Sequence, residues 1–212
     1  MVTPLATSPQ RILIELRNLQ AQKTEKITCI GIIGAGTQAK KQLEALQYVT
    51  SCRDVIVWGR NREKAIAFSK DPSLLPFNIT LVESIDELTQ NCNLIVTTTP
   101  SKDPLLFGHQ IQKGTHITAV GADGKGKQEL DQSVFSVADT NVVDSVLQCS
   151  ECGDISYAKD LVDMNKVQEL GSFISAPKKR EKNVISIADL TGISIIDLQK
   201  AKYIYHKLSQ SR

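Results

Sequence analysis

Two glycines near residue 35 are spaced to hold a phosphate group. Gly34 and Gly36 belong to a G-x-G-x-x-A pattern that directly follows residues 27–33, a run rich in β-branched side chains. A glycine at the first position lets the chain turn sharply, and one at the second leaves space where a pyrophosphate would lie. The backbone N–H groups of Gly36, Thr37 and Gln38 would face that anion at the start of a helix, whose dipole adds to the attraction. The pattern predicts a dinucleotide site, with an ordinary tight turn between strand and helix as the alternative.

The segment after the second predicted strand indicates which dinucleotide would bind. Residues 55–58 are predicted as that strand, and Arg60, Asn61 and Arg62 follow it closely. Folds of this type that prefer NAD carry an Asp or Glu here, which accepts hydrogen bonds from the ribose hydroxyls. This segment has no carboxylate, and guanidinium groups match the geometry of a 2′-phosphate. The sequence therefore predicts NADP in preference to NAD, with surface arginines that cap the turn as the alternative.

Alternating strands and helices would position these residues. Short apolar runs are separated by helical patterns, which predicts βαβ units with right-handed crossovers. We therefore predict an α/β fold with a doubly wound parallel sheet, a Rossmann-type NAD(P)-binding domain with helical appendages at both ends. In such a sheet the loops that follow residues 33, 58, 96 and 120 meet around one crevice. The predicted strands are residues 27–33, 55–58, 78–82, 94–96, 116–120, 141–144 and 184–188, the predicted helices are residues 62–69, 86–88 and 145–152, and residues 160–176 are ambiguous.

The sequence pattern divides the chain into three parts. Residues 1–26 are predicted to be a lead-in helix and linker, residues 27–190 the Rossmann domain, and residues 191–212 a closing helix. Apolar stripes on the two terminal helices require a partner surface. The charged run at residues 177–182 is predicted to be a solvated loop.

The composition is that of an ordinary globular protein. Of the 212 residues, 41% are hydrophobic and 23% charged, and the formal net charge of +2 gives no reason to expect a nucleic-acid or membrane partner. The sequence shows no secretory signal and no apolar run of membrane-spanning length, so the cytoplasm is the expected location. Five scattered cysteines fit reduced thiols there. Cys149 and Cys152 form one C-x-x-C pair without a second pair or a histidine at ligand spacing, so no metal site is predicted.

Five short motifs occur in an order that resembles a known family. They read GAGTQ, VWGRN, TTTPS, VGADGKGKQEL and DLTG, and lie at residues 34–38, 57–61, 97–101, 120–130 and 189–192. Together they resemble the ornithine cyclodeaminase/mu-crystallin family, and the resemblance extends from about residue 27 to the C-terminus. The segment at residues 120–130 is specific enough to carry the assignment.

The resemblance implies roles for individual residues at the cofactor. Thr37 and Gln38 match pyrophosphate contacts of the family. Either Thr97 or Thr98 matches a hydroxyl near the nicotinamide-side ribose, and Lys127 matches a further cofactor contact.

The resemblance also implies where substrate chemistry would occur. Val120 and Gly121 match the segment beside the nicotinamide, and Asp123 matches the acid/base position of the cyclodeaminases. A carboxylate there can remove a proton from a substrate ammonium, so that its carbon can give up hydride to the cofactor. A loop carboxylate that binds backbone N–H groups of its own turn is the alternative. Leu190 and Thr191 match a stretch that closes over substrate and cofactor.

Three functions remain open on the sequence. The first is an NAD(P)-dependent oxidoreductase that transfers hydride to an imine or from an amino acid, and the second is an ammonia-releasing cyclodeaminase of the ornithine type. Arg60 and Arg62 resemble the NADP-using reductases of the family and favour the first. The third is a dinucleotide-binding module without turnover, because the family places a substrate domain ahead of the first Rossmann strand and this chain has about 26 residues there. We therefore expect an amino or imino acid as the small molecule, and a homodimer or a separately encoded substrate domain as the partner.

Overall fold

One parallel sheet organises the part of the chain that the structure describes. In the computed structural model the described residues are 26–175 and 183–192, together with 202, 205, 206 and 209. The strands are β1 Ile30–Ile33, β2 Asp54–Trp58, β3 Asn78–Leu81, β4 Leu94–Thr97, β5 His116–Ala119, β6 Thr140–Val143, β7 Gln168–Glu169 and β8 Ser186–Asp189. Four of them, β1, β4, β5 and β8, are buried along their whole length, as expected for strands covered on both faces.

The order of the strands across the sheet is β3-β2-β1-β4-β5-β8-β6-β7, and every pair is parallel. The chain winds outward from β1 in one direction and from β4 in the other, which confirms the predicted doubly wound α/β fold. Such a reversal leaves a crevice beyond the carboxyl ends of the two central strands. β8 comes late in the chain but lies between β5 and β6, where Ala188 is paired with Thr118 on one side and with Val142 on the other.

Helices cover both faces of the sheet. They are α1 Thr37–Leu46, α2 Arg62–Ser69, α3 Ile85–Asn91, α4 Gln132–Val137, α5 Val146–Cys152 and α6 Leu170–Ser175. The side chains of Asn61, Ser84, Asp131 and Ser145 cap α2 to α5 by accepting a hydrogen bond from a backbone N–H of the first turn. Helix α1 differs, because its N-cap residue is Gly36 and it has no side-chain cap.

Two apolar clusters hold the layers together. On one face Ile30 packs with Leu43 and Leu46 of α1, and on the other Ile95 packs with Phe135 of α4. Each fully buried Leu or Ile side chain contributes on the order of 1.5–3 kcal/mol. Apolar contact, and not its N-terminal cap, therefore anchors α1 on the sheet.

The elements expected from the sequence are present, with boundaries that differ by one to three residues. Helix α2 begins and ends as predicted. Helix α4 was not predicted, and the two-residue strand β7 and helix α6 fall in the stretch that the sequence left ambiguous. The predicted lead-in helix, the charged run at 177–182 and most of the closing helix lie outside the described residues. Residues 202, 205, 206 and 209 of the closing segment are helical.

Candidate functional site

The turn between β1 and α1 requires glycine at its first position. Gly34 has a φ of +116°, a conformation that residues with a side chain rarely adopt. Its N–H donates to the Trp58 carbonyl at 2.8 Å, which joins the ends of β1 and β2. A Cβ added at Gly34 would lie 2.5 Å from Thr98 Oγ1. The turn is therefore closed tightly against the loop that follows β4.

The second glycine leaves space instead. Apart from Gly36 and its chain neighbours, no atom of the described residues lies within 4 Å of a Cβ added at Gly36. Thr37 and Gln38 begin helix α1 directly after it. The backbone N–H groups of the first turn of a helix point toward its N-terminal end. A helix start with open space in front of it and no side-chain cap is suited to an anion such as a diphosphate.

A cavity of about 290 Å³ opens in front of this turn. Three of the four loops that were expected to form a crevice line it, those after β1, β2 and β4. None of the described residues that line it is acidic, and Arg60 and Lys64 are basic. The lining residues are Gly34, Ala35, Gly36, Trp58, Gly59, Arg60, Asn61, Lys64, Thr98, Thr99, Pro100 and Ser101.

The two candidate arginines have different surroundings. Arg60 lines the cavity, and its Nη2 donates to Ser101 Oγ at 3.2 Å across the mouth. Arg62 is not among the lining residues, and its guanidinium contacts the exposed carboxylate of Glu83. Asn61 caps α2, with its Oδ1 accepting from the Lys64 N–H at 2.9 Å. Of the two arginines, Arg60 is therefore the one placed to meet a ligand phosphate.

The two candidate threonines also differ in where their side chains lie. Thr98 lines the cavity and donates its hydroxyl to the Ile33 carbonyl at 3.1 Å. Thr97 is fully buried, and its hydroxyl donates to Glu129 Oε2 at 2.6 Å. A hydroxyl near a bound ribose therefore fits Thr98, while Thr97 points into the protein.

Glu129 connects the loops that follow β4 and β5, a role that its position in the sequence did not reveal. It is 0% exposed, and it accepts hydrogen bonds from the Thr97 hydroxyl, the Thr99 N–H and hydroxyl, and the Gly121 N–H. Burial, and secondarily the nearby charge of Asp154, raises the pKa of Glu129 to about 7.

The loop after β5 carries the candidate acid/base residue. Val120 is buried and its N–H donates to the Thr97 carbonyl at 3.1 Å. Asp123 contacts the ammonium of Lys127, and the Asp123 side chain is 18% exposed. Asp123 does not line the cavity, but Gly121, two residues before it, packs against the carbonyl of Thr99, which does. The fourth expected loop therefore adjoins the cavity without lining it.

The candidate substrate residues after β8 are buried in the described part of the chain. Leu190 is 1% exposed and its N–H donates to the Ala119 carbonyl at 2.9 Å. Thr191 donates its hydroxyl to Asp144 Oδ1 at 3.1 Å, and the Gly192 N–H donates to Asp144 Oδ2 at 2.6 Å. Asp144 thus fixes the backbone of this stretch beside the end of β8.

Two further carboxylates are buried between these loops. Asp154 Oδ1 accepts from the N–H groups of Glu129 at 2.7 Å and Leu130 at 3.0 Å, and Asp154 Oδ2 is buried without a hydrogen-bond partner. Asp189 Oδ2 accepts from the Ile155 N–H at 2.8 Å. Burial raises the pKa of Asp154 to about 6, and burial together with the charge of Asp154 raises the pKa of Asp189 well above its usual range.

Other kinds of site find no support in the described ranges. No group of three or more His, Cys, Asp or Glu side chains there is arranged to hold a metal ion. All five cysteines are free. No helix in the described part of the chain is long and apolar enough to cross a membrane.

A sequence model of a known family matches most of the chain. It describes the ornithine cyclodeaminase/mu-crystallin family and covers residues 19–212. An alanine dehydrogenase of Archaeoglobus fulgidus is 36% identical over 184 residues, which is 82% of this chain and 55% of that protein. The chain spans a little over half the length of the curated relatives it matches, from 54% to 60%.

Solved structures give the same picture. An archaeal alanine dehydrogenase dimer with bound NAD has a TM-score of 0.82 at 32% identity, over 94% of this chain and 64% of that one. The Δ1-pyrroline-2-carboxylate reductase of Thermococcus litoralis, in complex with NADH and L-proline, has a TM-score of 0.84 at 28% identity, over 96% of this chain and 65% of that one. Both neighbours hold a nicotinamide cofactor.

Proposed function

Because this chain belongs to the ornithine cyclodeaminase/mu-crystallin family, we propose that it binds a nicotinamide dinucleotide and supports hydride transfer between that cofactor and an imine or amino acid. The observation that carries the proposal is the cavity in front of Gly36, which is lined by the glycine turn and by no acidic residue of the described chain. Relatives that bind NAD or NADH act on amino and imino acids, which supports the same substrate class here.

The residues present fit a dinucleotide. Gly36 leaves open space at the start of α1, where the N–H groups and the helix dipole favour a diphosphate. The cavity continues from there to Arg60 on one side and to Thr98 on the other. The adenine half of the ligand would lie toward Arg60, and the nicotinamide half toward Thr98 and the loop of Asp123.

NADP is our preferred cofactor. Arg60 lines the cavity, and no carboxylate of the described chain lines it to receive ribose hydroxyls. A guanidinium is suited to bind a 2′-phosphate. Because Arg62 already contacts Glu83, Arg60 is the one of the two arginines to which we assign this preference. Dissociation constants for NADPH and NADH, measured on the purified protein, test it; tighter binding of NADH would refute it.

Asp123 is our candidate for the acid/base group. When bound, the cofactor supplies or accepts hydride at its nicotinamide ring. The carboxylate of Asp123 would hold the proton that a substrate nitrogen gains or loses. The ammonium of Lys127 keeps that carboxylate in the loop after β5 and balances its charge.

The natural partner of the chain follows from the same family. We propose a homodimer, because a structural neighbour with 32% identity is a dimer, or association with a separately encoded substrate domain. Light scattering combined with chromatography distinguishes the two, since a monomer without any added partner would exclude the homodimer. The free thiols fit the reducing cytoplasm, which subcellular fractionation checks.

One pair of assays tests the reaction. NADPH is added with a cyclic imino acid such as Δ1-pyrroline-2-carboxylate, and the loss of nicotinamide absorbance is followed; ornithine with NAD is then tested for release of ammonia. Turnover in the first assay supports a reductase, and ammonia in the second identifies a cyclodeaminase instead. Cofactor binding without turnover in either assay would reduce the protein to a dinucleotide-binding module.

A further inference from the structure

The buried carboxylate of Glu129 accepts four hydrogen bonds. Its Oε2 accepts from Thr97 Oγ1 at 2.6 Å and from the Gly121 N–H at 2.8 Å. Its Oε1 accepts from Thr99 Oγ1 at 2.8 Å and from the Thr99 N–H. Each oxygen therefore receives one hydroxyl and one backbone N–H, and no cation is among these partners.

Three of the four donors come from the loops after β4 and β5, and the fourth, the Thr97 hydroxyl, is at the end of β4. Thr99 lines the dinucleotide cavity beside Thr98, and Gly121 leads into the segment that carries Asp123. The two loops touch at this point, since a Cβ added to Gly121 would collide with the Thr99 carbonyl and with the Glu129 carboxylate. Glu129 therefore sets the spacing between the cavity wall and the loop after β5.

A carboxylate has the acceptor capacity for all four donors, and an amide does not. A hydroxyl can rotate and accept a hydrogen bond, but a backbone N–H can only donate. Because one backbone N–H faces each oxygen of Glu129, the NH2 group of an amide would place a donor against a donor at one of them. A glutamine at this position would match the shape of glutamate and still break the contact to either Thr99 or Gly121.

The backbone of Glu129 is also fixed by hydrogen bonds. Its N–H donates to Asp154 Oδ1, and its carbonyl accepts from the Leu105 and Leu106 N–H groups at 2.7 Å and 3.1 Å. Hydrogen bonds therefore fix both the backbone and the carboxylate of Glu129. The side chain connects the protein core to the two loops.

We propose that Glu129 is a positioning residue that sets the nicotinamide side of the site, by joining Thr99 of the cavity wall to Gly121 of the Asp123 loop. The inference rests on the proposed function, because it assigns the nicotinamide half of the cofactor to these two loops. The glycine turn and Arg60, which would hold the adenine and diphosphate half, make no hydrogen bond to Glu129. Loss of the Glu129 hydrogen bonds should therefore weaken the binding of the nicotinamide half of the ligand. The binding of the adenine and diphosphate half should stay unchanged.

The experiment compares two ligands on the full chain. For the wild type and for Glu129→Gln, the affinity for NADPH is measured from nicotinamide fluorescence, and the affinity for adenosine diphosphate from ligand-observed NMR. We expect the NADPH dissociation constant to rise at least tenfold in Glu129→Gln while that of adenosine diphosphate stays within twofold. Glu87→Gln, the same chemical change at an exposed position in α3, serves as the matched control and should alter neither value.

The outcomes separate the proposals. NADPH affinity within twofold of the wild type, or equal weakening of both ligands, would overturn the assignment of Glu129. A wild-type chain that binds no NADPH would overturn the proposed function instead. Where Glu129→Gln fails to fold, Thr97→Val removes one donor from Oε2 and should raise the NADPH dissociation constant about threefold, whereas Thr97→Ser keeps the hydroxyl and should restore it; equal affinities in this pair would overturn the proposal.

Discussion

The two sides of the sheet end in loops of opposite character. On the nucleotide side, defined by β1, β2 and helix α1, the cavity-lining residues of the described chain include two basic side chains and no acidic one. On the acid side, defined by β5, β8 and β6, Glu129, Asp154 and Asp189 are buried and accept their hydrogen bonds largely from backbone N–H groups. A helix start with open space around Gly36 lies on one side, whereas on the other side the protein's own carboxylates accept from backbone N–H groups.

This difference fixes the direction in which a dinucleotide would lie. A diphosphate is attracted to the helix start at Gly36 and is repelled by buried carboxylates. A nicotinamide ring, which is neutral or cationic, is not repelled by them. For the proposed cofactor we therefore expect the ring, and not the phosphates, on the acid side.

We expect the largest effect, a loss of turnover, from a change at Asp123 in the loop after β5. Asp123→Asn keeps the shape of the side chain and removes its ability to take a proton. We expect kcat to fall by about 10²–10⁴-fold, the usual contribution of general acid–base catalysis. The NADPH dissociation constant should stay within about threefold, since the cavity does not include Asp123. Steady-state kinetics with a cyclic imino acid measure the first quantity, and unchanged kcat would remove Asp123 from the mechanism.

A valine at the second glycine tests the open space on the nucleotide side. Because the described residues beyond its chain neighbours leave the space around a Cβ at Gly36 open, Gly36→Val should fold normally and fill the place of the diphosphate. We expect NADPH affinity to fall on the order of 100-fold, about 2.7 kcal/mol. Gly34→Ala is the contrasting variant, because the positive φ at Gly34 should make it less stable as well. Thermal unfolding of both variants distinguishes a blocked site from a strained turn.

An asparagine at Asp154 tests the acid side. The pKa of Asp154 is raised from 3.8 to about 6 by burial, so the folded protein binds this proton more tightly than the unfolded chain. Its stabilising effect is therefore complete below the unfolded pKa of 3.8 and is lost as the pH rises through about 6. Asp154→Asn keeps the oxygen that binds two N–H groups and removes the charge.

At pH 8 we expect the variant Asp154→Asn to be more stable than the wild type, with a free energy of unfolding about 2 kcal/mol larger. This difference should vanish near pH 4. Urea unfolding at several pH values measures it. Asp160→Asn, at an exposed position, is the control and should change stability little at any pH. Destabilisation by Asp154→Asn at pH 8 would show that the charge is needed on this side.

The smallest effect concerns the preference between cofactors. Arg60→Ala should weaken NADPH binding about tenfold, or 1.4 kcal/mol. It should leave NADH binding nearly unchanged, because Arg60 would contact the 2′-phosphate, which NADH lacks. Arg62→Ala is the matched control, since Arg62 contacts Glu83 outside the cavity lining. Equal losses in the two variants would show a general effect of positive charge and not recognition of a phosphate.

The nucleotide side was predictable from the sequence, because its signals are local. β-Branched runs, the glycine spacing and the helix that starts at Arg62 each lie within a few consecutive residues. The acid side was much less so. Helix α4 has six residues and β7 two, which is too short for a periodic pattern, and no local signal places β8 between β5 and β6.

For the candidate site, too, some residues could be placed from the sequence and others could not. The residues around Gly34, Gly36 and Arg60 do line one cavity. The sequence could not separate Thr97 from Thr98 or Arg60 from Arg62, because neighbours in sequence differ here only in the direction of the side chain. Glu129 was named only as a letter of a motif, since a glutamate in a polar loop is ordinarily exposed.

The place of β8 also bears on how the protein is made. During synthesis on the ribosome, β1 to β5 emerge in an order that lets each new strand pair with one already present. Strand β6 emerges next and has no partner on its inner edge until residues 186–189 follow. The nucleotide side can thus be assembled while translation continues, whereas the acid side must wait for one of the last segments of the sheet, with its strand edges open to misassociation in the meantime.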